Sequence, residues 1–301
     1  MKKIQLIRSL EKVMDVLPRR HAIATELSVV PFFAFGSGRN GSTLFNRMLN
    51  QHSELYAPPE QYFLGTLIAR FKLLNHLPWS VLVDLLSKHV REVEKSDWCS
   101  ITKIDWSDIL SWGVEKRSLQ QLIVYLYQSE DPGQKRLWGD TTHLNYHYIP
   151  EIYSVFPNAK FIFMIRDGRA VVHSFMKAGS IMGDRSNPVV AAKQWMKTIK
   201  VYEELKSQTS LIVLKYEDLV EDPKSELERV CEHLGVSYED HMLQFYNHVP
   251  NADVFKLDIH KGLYRPVFSD SLSKWEDKLP RATRNEVVRI MKEGLNKFGY
   301  V

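Results

Sequence analysis

The stretch GSGRNGST, residues 36–43, has the residue types of a loop that holds an anion. Gly36 and Gly41 fall at the spacing of the phosphate-loop pattern G-x-x-x-x-G-K-[ST], but Ser42 stands where the lysine belongs. Glycines let the backbone turn its N–H groups inward, and a helix starting near Ser42 adds the positive end of its dipole. Such a loop attracts an anion without that lysine. Arg39 adds a planar fork matched to phosphate or sulfate oxygens, while Ser42 and Thr43 either donate hydroxyl hydrogen bonds or cap the helix. A second stretch, IRDGRAVVHS at 165–174, puts Arg166 at the end of an apolar run and Ser174 eight residues on. Both can surround one phosphate if a helix starts near Gly168. Arg166 and Asp167 also read as an ordinary salt bridge at a strand end, and Arg169 as a surface partner of Asp167. Two anion loops on one crevice suit a nucleotide phosphorylated in two places.

These loops need a frame to bring them together. Short apolar runs recur, each followed by a turn and a helical pattern, which is the order of βα units on a mainly parallel sheet. VVPFFAF at 29–35 leads into the glycine loop and then STLFNRMLNQH, where Leu44, Phe45, Met48 and Leu49 share one helical face. RLWGD at 136–140, KFIFMI at 160–165 and LIVLKY at 211–216 are the further strands; Pro223 marks a helix start and Gly235 its end. Helical stretches cover 62–95 and 188–207, and the apolar one from Phe63 to Val90 reads as core, with part of it a candidate wall of an acceptor pocket. Ligands on such sheets sit where the loops leave the strands' carboxyl ends.

At 301 residues and 44% hydrophobic, the chain is long enough for one large α/β domain. Residues 1–28 read as an amphipathic helical extension, because charges interrupt every apolar run before a signal-peptide core or a membrane span is reached. The net charge of +4 permits an anionic ligand without demanding nucleic acid. With only Cys99 and Cys231, neither a disulfide framework nor a cysteine-rich zinc site is supported, and a cytoplasmic, reducing location is the simpler expectation.

GSGRNGSTLFNRML resembles the 5′-phosphosulfate loop of sulfotransferases that use 3′-phosphoadenosine 5′-phosphosulfate (PAPS). FIFMIRDGRAVVHSF is similar to their 3′-phosphate motif, particularly in the tyrosylprotein branch and its bacterial relatives. The resemblance continues through FPNAKF at 156–161, KYEDL at 215–219 and LSKW at 272–275, covering about 30 to 280. It implies a P-loop-like three-layer α/β fold with helices flanking a mainly parallel sheet, a PAPS donor and no metal requirement. Gly38, Arg39, Asn40, Gly41, Ser42 and Thr43 would then hold the 5′-phosphosulfate, and Arg166 and Ser174 the 3′-phosphate. Tyr216 would lie near the adenine, and Ser273 and Lys274 would close over the donor, Lys274 and Arg39 also serving catalysis.

Sulfuryl transfer needs a base for the acceptor hydroxyl and cations or donors around the leaving oxygen. Glu60, in ELYAPPEQYF, lies near where the tyrosylprotein branch carries its base. Tyr62 and Phe63 are expected as apolar cover that favours its protonation, with His143 or His147 as the next candidates. Many relatives read GDKTP where this chain reads GDTTH, so Thr141 replaces a lysine that assists the leaving oxygen. Either Arg39 and Lys274 suffice or a cation such as Lys103 or Lys261 substitutes, and Arg185 is a candidate contact for an anionic acceptor. The acceptor class stays open between a small-molecule or lipid-like alcohol or phenol, a carbohydrate and a peptide tyrosine; a homodimer is also open. The rival readings are a P-loop kinase-like phosphotransferase, with Asp167 directed at magnesium, and a nucleotide-binding protein without turnover.

Overall fold

The computed structural model describes residues 18–25, 29–94, 104–129, 131, 133, 135–247, 264–266 and 272–301. Five strands form one sheet: β1 (Phe32–Gly36), β2 (Leu55–Tyr56), β3 (Leu137–Asp140), β4 (Lys160–Ile165) and β5 (Leu211–Lys215). They lie in the order β2-β3-β1-β4-β5, and every pairing is parallel. All five carboxyl ends therefore open on one edge. The register runs Phe32 opposite Gly139, Gly36 opposite Met164 and Ile165 opposite Lys215, which sets the ends of β1, β4 and β5 side by side.

Side chains alternate across the sheet, and both faces are covered. Phe33, Phe35, Phe161, Phe163 and Ile165 join one core, while Phe32, Ala34, Ile162, Met164 and Leu214 join the other. Burial on both sides is why FIFMI, after the half-buried Lys160, is uniformly apolar. The second face is packed by α1 (Ser42–Gln51), through Phe45, Met48 and Leu49, with later helical residues such as Leu227 and Val230. The first face carries α2 (Leu64–Leu74) and α3 (Trp79–Glu94), whose Leu67, Ile68, Phe71, Leu82 and Leu86 are fully buried. The apolar stretch after residue 62 is thus core. α4 (Trp106–Ser111), α5 (Leu119–Gln128) and α6 (Ile149–Val155) extend that layer.

The remaining helices begin where local chemistry starts them. α7 (Gly168–Ala178) is capped by the Asp167 carboxylate, which accepts from Arg169 N–H at 2.8 Å. α8 (Pro188–Leu205) is capped by Asn187, with proline in the first turn where its missing N–H costs nothing. α9 (Tyr216–Glu221) follows β5 directly, and α10 (Pro223–Leu234) ends at Gly235 in the left-handed region. α11 (Lys274–Lys278) and α12 (Arg281–Lys297) close the chain, with α12 burying Val287, Met291 and Leu295. The two-residue β2 goes beyond the four strands expected. Residues 1–17 and 26–28 of the expected N-terminal helix lie outside the described residues.

Candidate active site

The carboxyl ends of β1 and β4 bring the two glycine-bearing loops into direct contact. Arg39 Nε donates to Ser174 Oγ at 3.0 Å, and Arg166 Nη1 donates to the Arg39 carbonyl at 3.2 Å. The Arg166 guanidinium carbon sits 4.3 Å above the ring of Tyr216, at the end of β5. One crevice thus gathers Arg39, Arg166, Ser174 and Tyr216. Arg39 is mostly enclosed; burial and then the charge of Arg166 hold its guanidinium below the usual range. A cluster of desolvated cations is a field that an anion relieves.

Gly41 is the N-cap of α1, at φ 92°, and no side chain caps that helix, so Ser42 and Thr43 are not its caps. A Cβ at Gly41 would fall 2.4 Å from Tyr216 Cδ2, so only glycine lets Tyr216 pack against the loop. Gly38 gives the same clearance to His143, whose Cδ2 lies 2.7 Å from where a Cβ would be. Asn40 turns its amide to the Met164 carbonyl at 2.9 Å and ties the loop to β4. Gln194, from α8, holds the Ser37 carbonyl at 2.6 Å.

At the ends of β2 and β3, Glu60 and His143 meet: Glu60 Oε1 lies 2.7 Å from His143 Nδ1. The hydroxyl of Tyr62 donates to Glu60 Oε2, so Tyr62 is a hydrogen-bond donor to this carboxylate where apolar cover was expected. Arg185 Nη1 lies 3.1 Å from His143 Nε2. His143 therefore donates from Nδ1 to Glu60 and accepts at Nε2, a tautomer set by its two partners. His147 faces Lys197 Nζ at 3.1 Å, and burial, then the charge of Lys197, pushes it down to about 4. Thr141 is buried and accepts from Asn46 Nδ2 at 2.9 Å; the same amide nitrogen donates to the carbonyls of Ala57 and Pro58. Thr141 thereby steadies the turn that carries Glu60 and adds no charge.

Asp167 is not directed at a metal. Arg169 grips its carboxylate, with Nη2 to Oδ2 at 2.7 Å, and stacks 4.2 Å from the ring of Trp275. The Asp167 N–H donates to Glu217 Oε1 at 3.0 Å, and Tyr300 donates to Glu217 Oε2 at 2.9 Å. This chain of contacts fixes the start of α7. Glu217 falls within the KYEDL stretch but has no role signalled there, and Tyr300 belongs to no motif. Ser273 and Lys274 are exposed at the start of α11 and make no side-chain hydrogen bond among the described residues. Residues 248–263 and 267–271, which precede them, lie outside the described residues, as do Lys103 and Lys261.

Comparison with known proteins bears on the family and the fold. The protein-tyrosine sulfotransferase of Drosophila melanogaster is 25% identical over 297 residues, covering 95% of this chain and 54% of its own length. Protein-tyrosine sulfotransferase 1 of Danio rerio is 24% identical, with 89% and 71% covered. The chain thus spans about half the length of the fly relative. Among solved structures, the sulfotransferase domain of the curacin biosynthetic pathway superposes with a TM-score of 0.59 at 22% identity, covering 89% of this chain and 98% of that one. The sulfotransferase domain of the Synechococcus PCC 7002 olefin synthase gives 0.57 at 20% identity, covering 92% and 97%.

These relatives correct the cytoplasmic expectation: they are protein-tyrosine sulfotransferases, which are not cytoplasmic enzymes. A chain that buries cores on both faces of a sheet needs no disulfide, so a low cysteine count does not report the redox compartment. Among the described residues, no helix is long and apolar enough to cross a membrane. The profile of the sulfotransferase family matches residues 31–240, all five strands of the sheet and both anion loops, and the chain belongs to that family.

Proposed function

We propose that the chain transfers the sulfuryl group of PAPS to the phenolic hydroxyl of a peptide tyrosine, with Glu60 and His143 together as general base. The observation that carries this reading is the meeting of Glu60 and His143 at 2.7 Å, directly against the glycine loop that Arg39 and Arg166 make cationic.

The donor set suits a doubly anionic nucleotide. Arg39, Ser42, Thr43 and the uncapped N–H groups of α1 would hold the 5′ end, and Arg166 with Ser174 the 3′-phosphate. Tyr216 orients Arg166 through its ring face and lines the adenine side of the crevice. PAPS brings the sulfuryl group and a bisphosphate leaving group; the protein brings position, a proton acceptor and charge. Both oxygens of Glu60 are occupied, Oε1 by His143 and Oε2 by Tyr62. The acceptor proton passes to His143 Nε2, the nitrogen opposite the one that Glu60 holds, while Glu60 keeps the ring oriented and stabilises the imidazolium that forms. The names of the matched relatives favour a tyrosine phenol over an alcohol or a carbohydrate.

The test is transfer of labelled sulfate from PAPS to tyrosine peptides, with phenols and sugars alongside. Glu60→Gln should lower turnover by roughly 10²- to 10⁴-fold, the usual range for loss of a general base, while binding of adenosine 3′,5′-bisphosphate persists. Phosphate transfer from ATP without sulfate transfer, or tight bisphosphate binding with no transfer to any acceptor, would replace this reading with a kinase or a binding protein.

A further inference from the structure

One cation of the crevice has no role in the scheme above. Arg185 comes from the turn between α7 and α8, and it reaches His143 from the side opposite Glu60. Its guanidinium carbon lies 5.6 Å from the ring of Phe175, so part of the side chain is covered. Its charge is felt across the site: after burial and Arg166, it contributes to lowering Arg39, and it also acts on Tyr146 and His147. Asp167 is held by Arg169, Glu217 accepts from the Asp167 N–H and from Tyr300, and Glu60 meets His143 and Tyr62.

The turn that carries Arg185 reverses at Gly179 and Gly183, where an added Cβ would meet nothing within 4 Å, and it is tied to α8 by the Asn187 cap. Thr141 cannot bring a positive charge to the transfer centre, because its hydroxyl is buried against Asn46. Lys274 is exposed at the start of α11.

We propose that Arg185 is a catalytic residue that binds the sulfuryl oxygens of PAPS and offsets the charge that spreads over them during transfer. The assignment rests on the PAPS reading above. As the acceptor oxygen bonds to sulfur, the bond from sulfur to the 5′-phosphate oxygen breaks. Its electron pair leaves with adenosine 3′,5′-bisphosphate, and the acceptor proton goes to His143. Moving onto the sulfuryl oxygens takes Arg185 off His143 Nε2 and bares the lone pair that receives that proton. Donor arrival and exposure of the base become one event.

Calorimetry with PAPS and with adenosine 3′,5′-bisphosphate tests this without any acceptor. The wild-type chain should bind PAPS more tightly than the bisphosphate. Arg185→Gln should lose about 10-fold or more of its PAPS affinity, the scale of one charge-assisted hydrogen bond, and keep bisphosphate affinity within about twofold. Arg185→Lys should recover part of the loss. Equal losses for both ligands would make Arg185 a phosphate holder, and an unchanged PAPS preference would leave it only orienting His143; either result overturns the proposal while sparing the donor reading. A wild-type chain that binds neither nucleotide overturns the donor reading and this proposal with it.

Discussion

Replacing Arg166 by lysine keeps the charge and removes the geometry. In the folded chain the guanidinium donates to the Arg39 carbonyl at 3.2 Å and lies over the Tyr216 ring at 4.3 Å, at the mouth of the crevice proposed for the 3′-phosphate. A lysine at this position has no planar fork and no face to stack. Losing one charge-assisted hydrogen bond costs about 1.5–3 kcal/mol and a partly desolvated cation–π contact about 1 kcal/mol, together about 3 kcal/mol or roughly 100-fold in affinity. Calorimetry should therefore show Arg166→Lys binding adenosine 3′,5′-bisphosphate about 100-fold more weakly, with affinity for AMP, which lacks the 3′-phosphate, changed by less than about threefold. Thermal unfolding of the variant near the wild-type temperature confirms an intact fold. Equal weakening toward both nucleotides would refute the reasoning, because Arg166 would then support the loop and not read the 3′-phosphate.

Gly41→Ala should cost about 1–3 kcal/mol of stability and abolish tight bisphosphate binding, since φ 92° and the 2.4 Å approach of Tyr216 both resist a Cβ; urea unfolding and calorimetry check the two effects. Tyr300→Phe removes the hydroxyl that holds Glu217 Oε2, so stability should fall by about 1 kcal/mol and bisphosphate affinity several-fold as the Asp167 anchor loosens. His89 and His147 are each pushed from 6.5 to about 4, by burial first and then by Arg70 and Lys197 respectively. Both stay neutral in the native chain while the unfolded chain takes up protons below 6.5, so their contribution is present above that pH and is lost as pH falls toward 4. Burial raises Asp140 and Glu217, which work in the opposite sense over acid pH. Comparing the wild-type chain with a His89→Gln/His147→Gln variant isolates the histidines: the wild type should lose more stability between pH 6.5 and pH 4.

The parallel sheet was legible because β4 is buried on both faces from Phe161 to Ile165 and therefore apolar along that run, and because Pro223 and Gly235 mark the ends of α10 directly. β2 was not, since two residues carry no periodicity. The anion loops were readable from glycine spacing and from the positions of Arg39, Arg166 and Ser174. Their mutual contact was not, because it depends on the register of β1 against β4. Glu60 and His143 each stood out as a proton acceptor, but their pairing across 83 residues follows from β2 and β3 lying side by side. Tyr62 was misread because an aromatic residue shows its apolar body in sequence and its hydroxyl only in three dimensions. The clamp through Glu217 and Tyr300 was not legible: KYEDL drew attention through Tyr216, and nothing local ties Glu217 to a tyrosine 83 residues on.

Among the described residues, Arg39 alone combines a side chain with a positive φ, 56°, a conformation that disfavours any residue with a Cβ. Its neighbours impose that shape before any nucleotide arrives. A glycine in its place would relieve the backbone and leave the crevice without its central cation. Thermostability and nucleotide affinity should therefore trade against each other at this position, so selection for a hardier protein alone would drift away from the arginine.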